Sequence, residues 1–318
     1  MGRVLVTRRL PDGGLEPLAR AGHELVSRDD DTPLTHAELV TAAGDDDAIV
    51  CLLTDRIDRE VLQAGADGGR LRDVANVAVG YDNIDVAAAT ELGIAVCNTP
   101  GVLDETTADL AFLLILAASR LAHDAEHDLR TGAWPGWGIM QYLGHDVHGA
   151  TLGLVGYGRI GQAVARRATG FGMNVVHHTR HDHGLPGWVP DLDRLLAESD
   201  VVSLHVPLND ATRHLISARE LELMGPGTVL VNTARGPVVD EEALATALEQ
   251  GTIFAAGIDV FEREPEVHPR LIRAPRAVLL PHVGSATTAT RRRMAEVASE
   301  GAAAVLAGRR PSNLVTPG

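Results

Sequence analysis

Disulfides, cationic surface and long apolar runs are all scarce in this chain. Only two cysteines occur among its 318 residues, Cys51 and Cys97, each inside an apolar run. They exclude a disulfide framework and read as small buried hydrophobes in a reducing compartment. Positive charge is short as well. The formal net charge is −15, which argues against a nucleic-acid backbone or an anionic membrane as partner. Any anionic ligand then needs a local basic pocket. The opening Met-Gly-Arg-Val-Leu-Val-Thr already reads as a strand, so no signal peptide is expected. The most apolar helical stretch, residues 110–118, is too short to span a bilayer. No cysteine or histidine cluster suggests a metal site, and no solenoid-type repeat is visible. These absences predict a soluble, cytoplasmic, metal-free protein.

What the chain does hold is enough apolar residue, 45% of the total, for two cores of ordinary size. Its most telling stretch is Thr151-Leu-Gly-Leu-Val-Gly-Tyr-Gly-Arg-Ile-Gly161. An apolar β run meets Gly156, Gly158 and Gly161, spaced G-x-G-x-x-G, and a helical pattern follows at once. Gly156 suits a tight strand-to-helix turn, Gly158 a pyrophosphate lying on bare backbone, and Gly161 close helix–sheet packing. The helix N-terminus then offers unpaired N–H groups to the phosphates. Context on both sides makes this a dinucleotide site.

Before that stretch, short buried strands are predicted at 3–7, 23–27, 48–54, 74–79 and 94–97, with helices at about 15–21, 36–43, 58–64 and 86–92. Strands alternating with helices make a parallel, doubly wound sheet. This first unit carries no Gly-rich fingerprint, so it serves something other than a dinucleotide. A long helix at about 104–123 is apolar nearly all round its middle, which requires burial on several sides. The Gly-rich stretch 130–149, with Trp134 and Trp137, reads as an extended loop. A second βα series has strands from 151 and at 174–179, 201–206, 228–232, 255–259 and 277–280. The last helix, 287–306, follows the final strand and supplies the closing helix that the first unit lacks. The expected fold is therefore α/β, with two doubly wound, Rossmann-like parallel-sheet domains. Residues 1–98 and 285–318 form a discontinuous substrate domain, and residues 99–284 the dinucleotide domain.

Further motifs stand at matching places: Val79-Gly-Tyr-Asp-Asn-Ile-Asp85, Asn98-Thr-Pro-Gly101, His205-Val-Pro-Leu208, Asn232-Thr-Ala-Arg-Gly236, Gly257-Ile-Asp-Val260 and Pro281-His-Val-Gly-Ser-Ala-Thr287. With the Gly156–Gly161 loop, they resemble the D-isomer-specific 2-hydroxyacid dehydrogenases over nearly the whole chain. Within that family, the Trp134/Trp137 loop and the Thr179-Arg180 pair look most like glyoxylate/hydroxypyruvate reductases.

The resemblance implies reduction of a small 2-keto acid to the D-2-hydroxy acid. Its chemistry needs a cation for the carboxylate, a proton for the carbonyl oxygen and a hydride. Arg235 follows a β run, and a guanidinium fork can hold carboxylate and carbonyl oxygens as lysine cannot. His282 matches the family's proton donor, since imidazole titrates near neutral pH. Glu264 matches that histidine's carboxylate partner, which favours the imidazolium. The substrate carboxylate is also expected on backbone N–H groups of Val79, Gly80 and Tyr81, with Leu53 as an apolar wall. On the cofactor side the resemblance implies Thr107, Gly156, Gly158, Arg159, Ile160, Gly161, Thr179, Arg180, Val206, Pro207, Thr212, Thr233, Ala234, Asp259, His282 and Gly284.

An NAD site needs an acid at the end of the second strand for the ribose 2′-hydroxyl. Here that position is Thr179, followed by Arg180, and Asp182 comes late. A hydroxyl and a cation suit a 2′-phosphate, so NADPH is favoured and NADH remains possible. In the resembling reductases the segment matching 130–149 crosses to a second subunit. A homodimer through that arm and the 104–123 helix is therefore expected. Two rivals stay open: an NAD-linked dehydrogenase of D-lactate or 3-phosphoglycerate, and a non-catalytic dinucleotide-sensing module like the family's corepressors.

Overall fold

The computed structural model describes residues 1–28 and 31–316, and the chain divides into two compact units. One is Met1–Leu103 with Ser285–Gly318, and the other is Asp104–Gly284. The first division falls after Leu103 rather than after residue 98.

The first unit runs β1 (Arg3–Val6), α1 (Glu16–Arg20), β2 (Glu24–Ser27), α2 (His36–Asp45), β3 (Ala48–Cys51), α3 (Arg59–Asp67), β4 (Asp73–Asn76), α4 (Val86–Glu91) and β5 (Ala95–Cys97). Its sheet has the order β2-β1-β3-β4-β5, and every pairing is parallel. Short polar side chains start its helices. Thr35 and Glu38 form a reciprocal capping box on α2, and Asp58 and Asp85 accept first-turn N–H groups of α3 and α4.

The second unit contains α5 (Asp104–Ser119), α6 (Ala122–Thr131), β6 (Thr151–Val155), α7 (Arg159–Thr169), β7 (Asn174–His178), α8 (Leu192–Glu198), β8 (Val201–Leu204), α9 (Ala218–Met224), β9 (Val229–Asn232), α10 (Glu241–Gln250), β10 (Ala255–Ile258), α11 (Pro269–Ile272) and β11 (Ala277–Leu279). Its six strands are parallel in the order β11-β10-β9-β8-β6-β7. The chain leaves β6 outward to β7, then returns to place β8 on the other flank of β6. That reversal makes the carboxyl ends of β6 and β8 the point where strand order switches, which is where doubly wound sheets take their ligands. Apolar side chains on the two faces of this sheet form two separate cores.

The chain then re-enters the first unit as α12 (Thr288–Leu306), which packs on α1, β3, β4 and β5. The Ser299 hydroxyl donates to the Gly14 carbonyl at 2.8 Å, and the Arg72 guanidinium to the Leu306 carbonyl at 3.1 Å.

One expected element is corrected. The 104–123 helix is not continuous: α5 ends at Ser119, and α6 leaves it at 68°. Its last carbonyl is diverted, because Ser119 C=O accepts from His145 N at 2.8 Å instead of from the next helical turn. Gly144 makes this approach possible, since a Cβ there would lie 2.3 Å from the Ser119 oxygen. Leu121 turns the chain with φ 50°. The loop expected at 130–149 is shortened in the same way, because α6 runs on to Thr131 and stops at a left-handed Gly132. No single helix among the described residues is long and apolar enough to cross a membrane.

Candidate active site

In the second unit the dinucleotide loop begins where β6 stops. Gly156 has φ +94°, and a Cβ on it would lie 2.5 Å from the His205 carbonyl oxygen. That contact brings the ends of β6 and β8 together and excludes any side chain. A Cβ on Gly161 would lie 2.5 Å from the Gly156 oxygen, so the helix sits tight against the turn. Gly158 is the opposite case, with nothing within 4 Å of a Cβ position. It caps α7 without any side-chain acceptor, so the helix offers bare N–H groups over open space. These features fit a pyrophosphate group. Arg159 is exposed and Ile160 half-buried beside them. His205 is half-buried, with Nε2 2.9 Å from the Ser203 hydroxyl, and desolvation pushes its pKa down to about 4. It is a neutral strut.

Past β8, Val206 and Pro207 lead into a tight turn. The Thr212 hydroxyl donates to the Pro207 carbonyl at 2.6 Å and accepts from Asn209 N at 2.9 Å. Beyond β7, the Thr179 hydroxyl donates to the His181 carbonyl at 2.7 Å, while Trp188 Nε1 donates to the Thr179 carbonyl at 3.2 Å. Arg180 is exposed. Asp182 accepts from Gly184 N at 2.7 Å and so caps its own turn.

Arg235 stands just past β9, and Asn232 builds the turn that carries it. The Asn232 amide accepts from Ala234 N at 3.0 Å and donates to the Arg235 carbonyl at 2.9 Å. Gly236 follows because the Phe261 backbone presses there, only 1.9 Å from where a Cβ would sit. The chain contains no lysine, so every fixed side-chain cation is a guanidinium. Thr233 is buried with its hydroxyl unpartnered, and Ala234 is half-buried beside it.

His282 and Glu264 form a pair. His282 Nδ1 lies 2.8 Å from Glu264 Oε2, and each side chain is about a quarter exposed, at 26% and 25%. The second carboxyl oxygen, Oε1, accepts from Phe261 N at 3.0 Å. Burial alone would raise the Glu264 pKa. The His282 hydrogen bond and charge, the Phe261 N–H and the Arg235 charge outweigh it and hold the carboxyl below its ordinary range. The group is an anion at neutral pH, and Arg235 is close enough to act on it.

His282 itself sits at φ 52°, a left-handed conformation uncommon outside glycine. Asp259, at the end of β10, holds that turn. Its two carboxyl oxygens accept from Val283 N and Gly284 N, each at 2.8 Å, and its own carbonyl accepts from His282 N at 2.8 Å. Burial pushes its pKa up to about 6, with the two N–H groups and the His282 charge pulling back. Thr107 on α5 completes the brace, its hydroxyl 3.4 Å from the Gly284 carbonyl. Sequence motifs named Asp259 and Thr107 as cofactor residues, but not as the scaffold of the histidine turn. Asn232 stood in a quoted motif with no role given to it, and Phe261 was missed, because a backbone-holding role leaves no mark in spacing.

In the first unit, Leu53, Val79 and Gly80 are half-buried, on the turns that follow β3 and β4. Among the described residues no group of three or more metal-ligating side chains occurs.

Comparison with known proteins agrees with this geometry. The family profile described as "D-isomer specific 2-hydroxyacid dehydrogenase, NAD binding domain" matches residues 112–284. A glyoxylate reductase from Korarchaeum cryptofilum is 49% identical, covering 98% of this chain and 95% of that one. A Thermus thermophilus crystal structure superposes with a TM-score of 0.92 at 46% identity, covering 99% and 100%. An NADPH-dependent glyoxylate/hydroxypyruvate reductase from Sinorhizobium meliloti, solved with NADP and malonate, gives 0.86 at 37%, covering 99% and 96%. The chain belongs to the D-isomer-specific 2-hydroxyacid dehydrogenase family and is an NAD(P)-dependent enzyme of it.

Proposed function

We propose that the enzyme reduces glyoxylate, and hydroxypyruvate beside it, with NADPH as the preferred donor. The observation that carries this is the Arg235, Glu264 and His282 set, a fixed cation beside an anion–imidazole pair. When bound, a reduced nicotinamide dinucleotide supplies the hydride. Arg235 grips the keto acid's carboxylate and polarises its carbonyl. His282 gives a proton to the carbonyl oxygen from Nε2, because Nδ1 is turned to Glu264. Glu264, an anion 2.8 Å from Nδ1, orients the ring and faces its charge while that proton is given up. In the first unit, backbone N–H groups of the Val79–Tyr81 turn take the carboxylate, and Leu53 forms an apolar wall. Gly156–Gly161 would hold the cofactor's pyrophosphate, with Thr107, Val206, Pro207, Thr212, Thr233, Ala234, Asp259 and Gly284 among the other residues that would hold the cofactor.

The preference for NADPH rests on Thr179 and Arg180, where a ribose-binding acid is missing, and on Asp182 being used by its own turn. A homodimer is proposed through the loop after α6. Trp137, Ile139, Met140 and Leu143 are exposed there, with Trp137 at 80%, and such clustered apolar anchors favour an isologous contact. The buried free cysteines support a reducing, cytoplasmic compartment. A panel of 2-keto acids assayed with NADPH and NADH in parallel tests the reading. Glyoxylate and hydroxypyruvate should give the highest kcat/KM, and a clear preference for pyruvate or a bulkier acid would reject it.

A further inference from the structure

The turn after β4 is held by its carbonyls. Asn98 Nδ2 donates to the Val79 carbonyl and Asn76 Nδ2 to the Gly80 carbonyl, both at 2.8 Å. In a planar trans peptide, C=O and N–H point in opposite directions. Tying the Val79 oxygen to Asn98 therefore turns the Gly80 N–H away from Asn98. Tying the Gly80 oxygen to Asn76 turns the Tyr81 N–H away from Asn76. Neither N–H donates to any group among the described residues. Two successive outward N–H groups make an anion-binding concavity.

Both asparagines are themselves clamped. Asn76 is fully buried. Its amide also donates to Asn83 Oδ1 at 3.1 Å, and its oxygen faces Cys51 Sγ at 3.6 Å. Asn83 in turn donates to the Leu52 and Asp55 carbonyls, at 3.1 and 3.0 Å. That ties the turn bearing Leu53 to the turn bearing Gly80. Asn98 exchanges hydrogen bonds with Asn313 of the returning tail: its N–H donates to the Asn313 carbonyl at 3.2 Å, and its carbonyl accepts from Asn313 Nδ2 at 2.8 Å. A neutral amide is the group this task requires. Aspartate could not donate to a carbonyl, and its charge would repel an anion in the cradle.

We propose that Asn76 and Asn98 are positioning residues that aim the Gly80 and Tyr81 N–H groups at the carboxylate of the keto acid. This rests on the reading of the Val79–Tyr81 turn as the carboxylate subsite. The test compares glyoxylate with methyl glyoxylate, which keeps the carbonyl and lacks the charge. In Asn98→Leu and in Asn76→Leu, the ratio of kcat/KM for glyoxylate to that for methyl glyoxylate should fall about tenfold, as expected for one weakened charge-assisted hydrogen bond. KM for NADPH should stay within about twofold, and the affinity of oxamate for the enzyme–NADPH complex should fall by the same factor as the ratio. A merely structural role would lower both substrates together and leave the ratio unchanged, which overturns the proposal. Asn98→Ser and Asn76→Ser decide by the same ratio should the leucine variants not fold. Gly80→Pro, which deletes one of the two N–H groups, separates the two claims. An unchanged glyoxylate KM there overturns the subsite reading. A raised KM there, with unaltered asparagine variants, overturns only the asparagine assignment.

Discussion

Replacing Glu264 by glutamine changes one charge and almost no volume, and its effect can be worked out from two contacts. Glu264 accepts on both oxygens, from His282 at 2.8 Å and from Phe261 N at 3.0 Å. An amide has one acceptor, so one of those N–H groups must face an NH₂. A hydrogen bond to a charged partner contributes about 1.5–3 kcal/mol, and a neutral one about 0.5–1.5. The imidazolium at His282 thus loses about 1–1.5 kcal/mol of stabilisation relative to the neutral ring. At about 1.4 kcal/mol for each tenfold, that is about one pH unit. Reduction needs the protonated ring, so activity is present at low pH and is lost as pH rises. The alkaline limb of kcat/KM for glyoxylate should move down by about one unit in Glu264→Gln. Steady-state kinetics across pH, at saturating NADPH, is the assay. An alkaline limb that stays in place, or moves up, would refute the dyad.

Three other outcomes follow from the same physical reasoning. Asp73 on β4 is fully enclosed with no N–H or O–H donor on either oxygen, and burial raises its pKa from 3.8 to about 7. The raised value means the fold is most stable where the group is neutral. Stability is lost as pH climbs from about 4 to about 7, by a ceiling of about 4 kcal/mol. Urea unfolding should show Asp73→Asn exceeding the wild type by more at pH 8 than at pH 5; an equal gap at both would reject the account. For the cofactor, Thr179→Asp with Arg180→Ala should reverse the ratio of kcat/KM for NADPH over NADH, since a carboxylate repels a 2′-phosphate and accepts from a 2′-hydroxyl. A wild-type preference for NADH contradicts that assignment. In sedimentation equilibrium the protein should be a dimer at micromolar concentration, weakened by Trp134→Ala with Trp137→Ala; a dimer indifferent to both changes would remove the loop from the interface.

Much of this molecule was legible before folding. The turn at Gly156–Gly161 announces itself because steric demands on glycine are local, and a strand and helix frame it. Arg235, Glu264 and His282 were singled out through motifs, since their chemistry restricts residue type, and the structure pairs His282 with Glu264. The break between α5 and α6 was not legible. It depends on a backbone bond from His145 to Ser119, a contact distant in sequence, and the apolar pattern runs straight through it. Strand order was also hidden, because alternation of strands and helices is the same for every parallel arrangement. Asn232, Phe261 and the bracing role of Asp259 are backbone-holding functions, and those depend on where a carbonyl or N–H ends up. The short α8, α9 and α11 lay in stretches whose period alone does not separate helix from turn.

The central claim is that hydride reaches the carbonyl carbon of a 2-keto acid held in this site. Stereospecifically deuterated NADPH, labelled at the transferable position of the nicotinamide, tests it without reference to rate. Incubation with glyoxylate should put the deuterium on carbon 2 of glycolate, as mass spectrometry and NMR would read it, and His282→Ala should bind the dinucleotide yet transfer almost none. Tight binding of the dinucleotide by the wild-type protein with no label appearing in glycolate, or in the product of any other 2-keto acid, would contradict the account and favour a dinucleotide-sensing role.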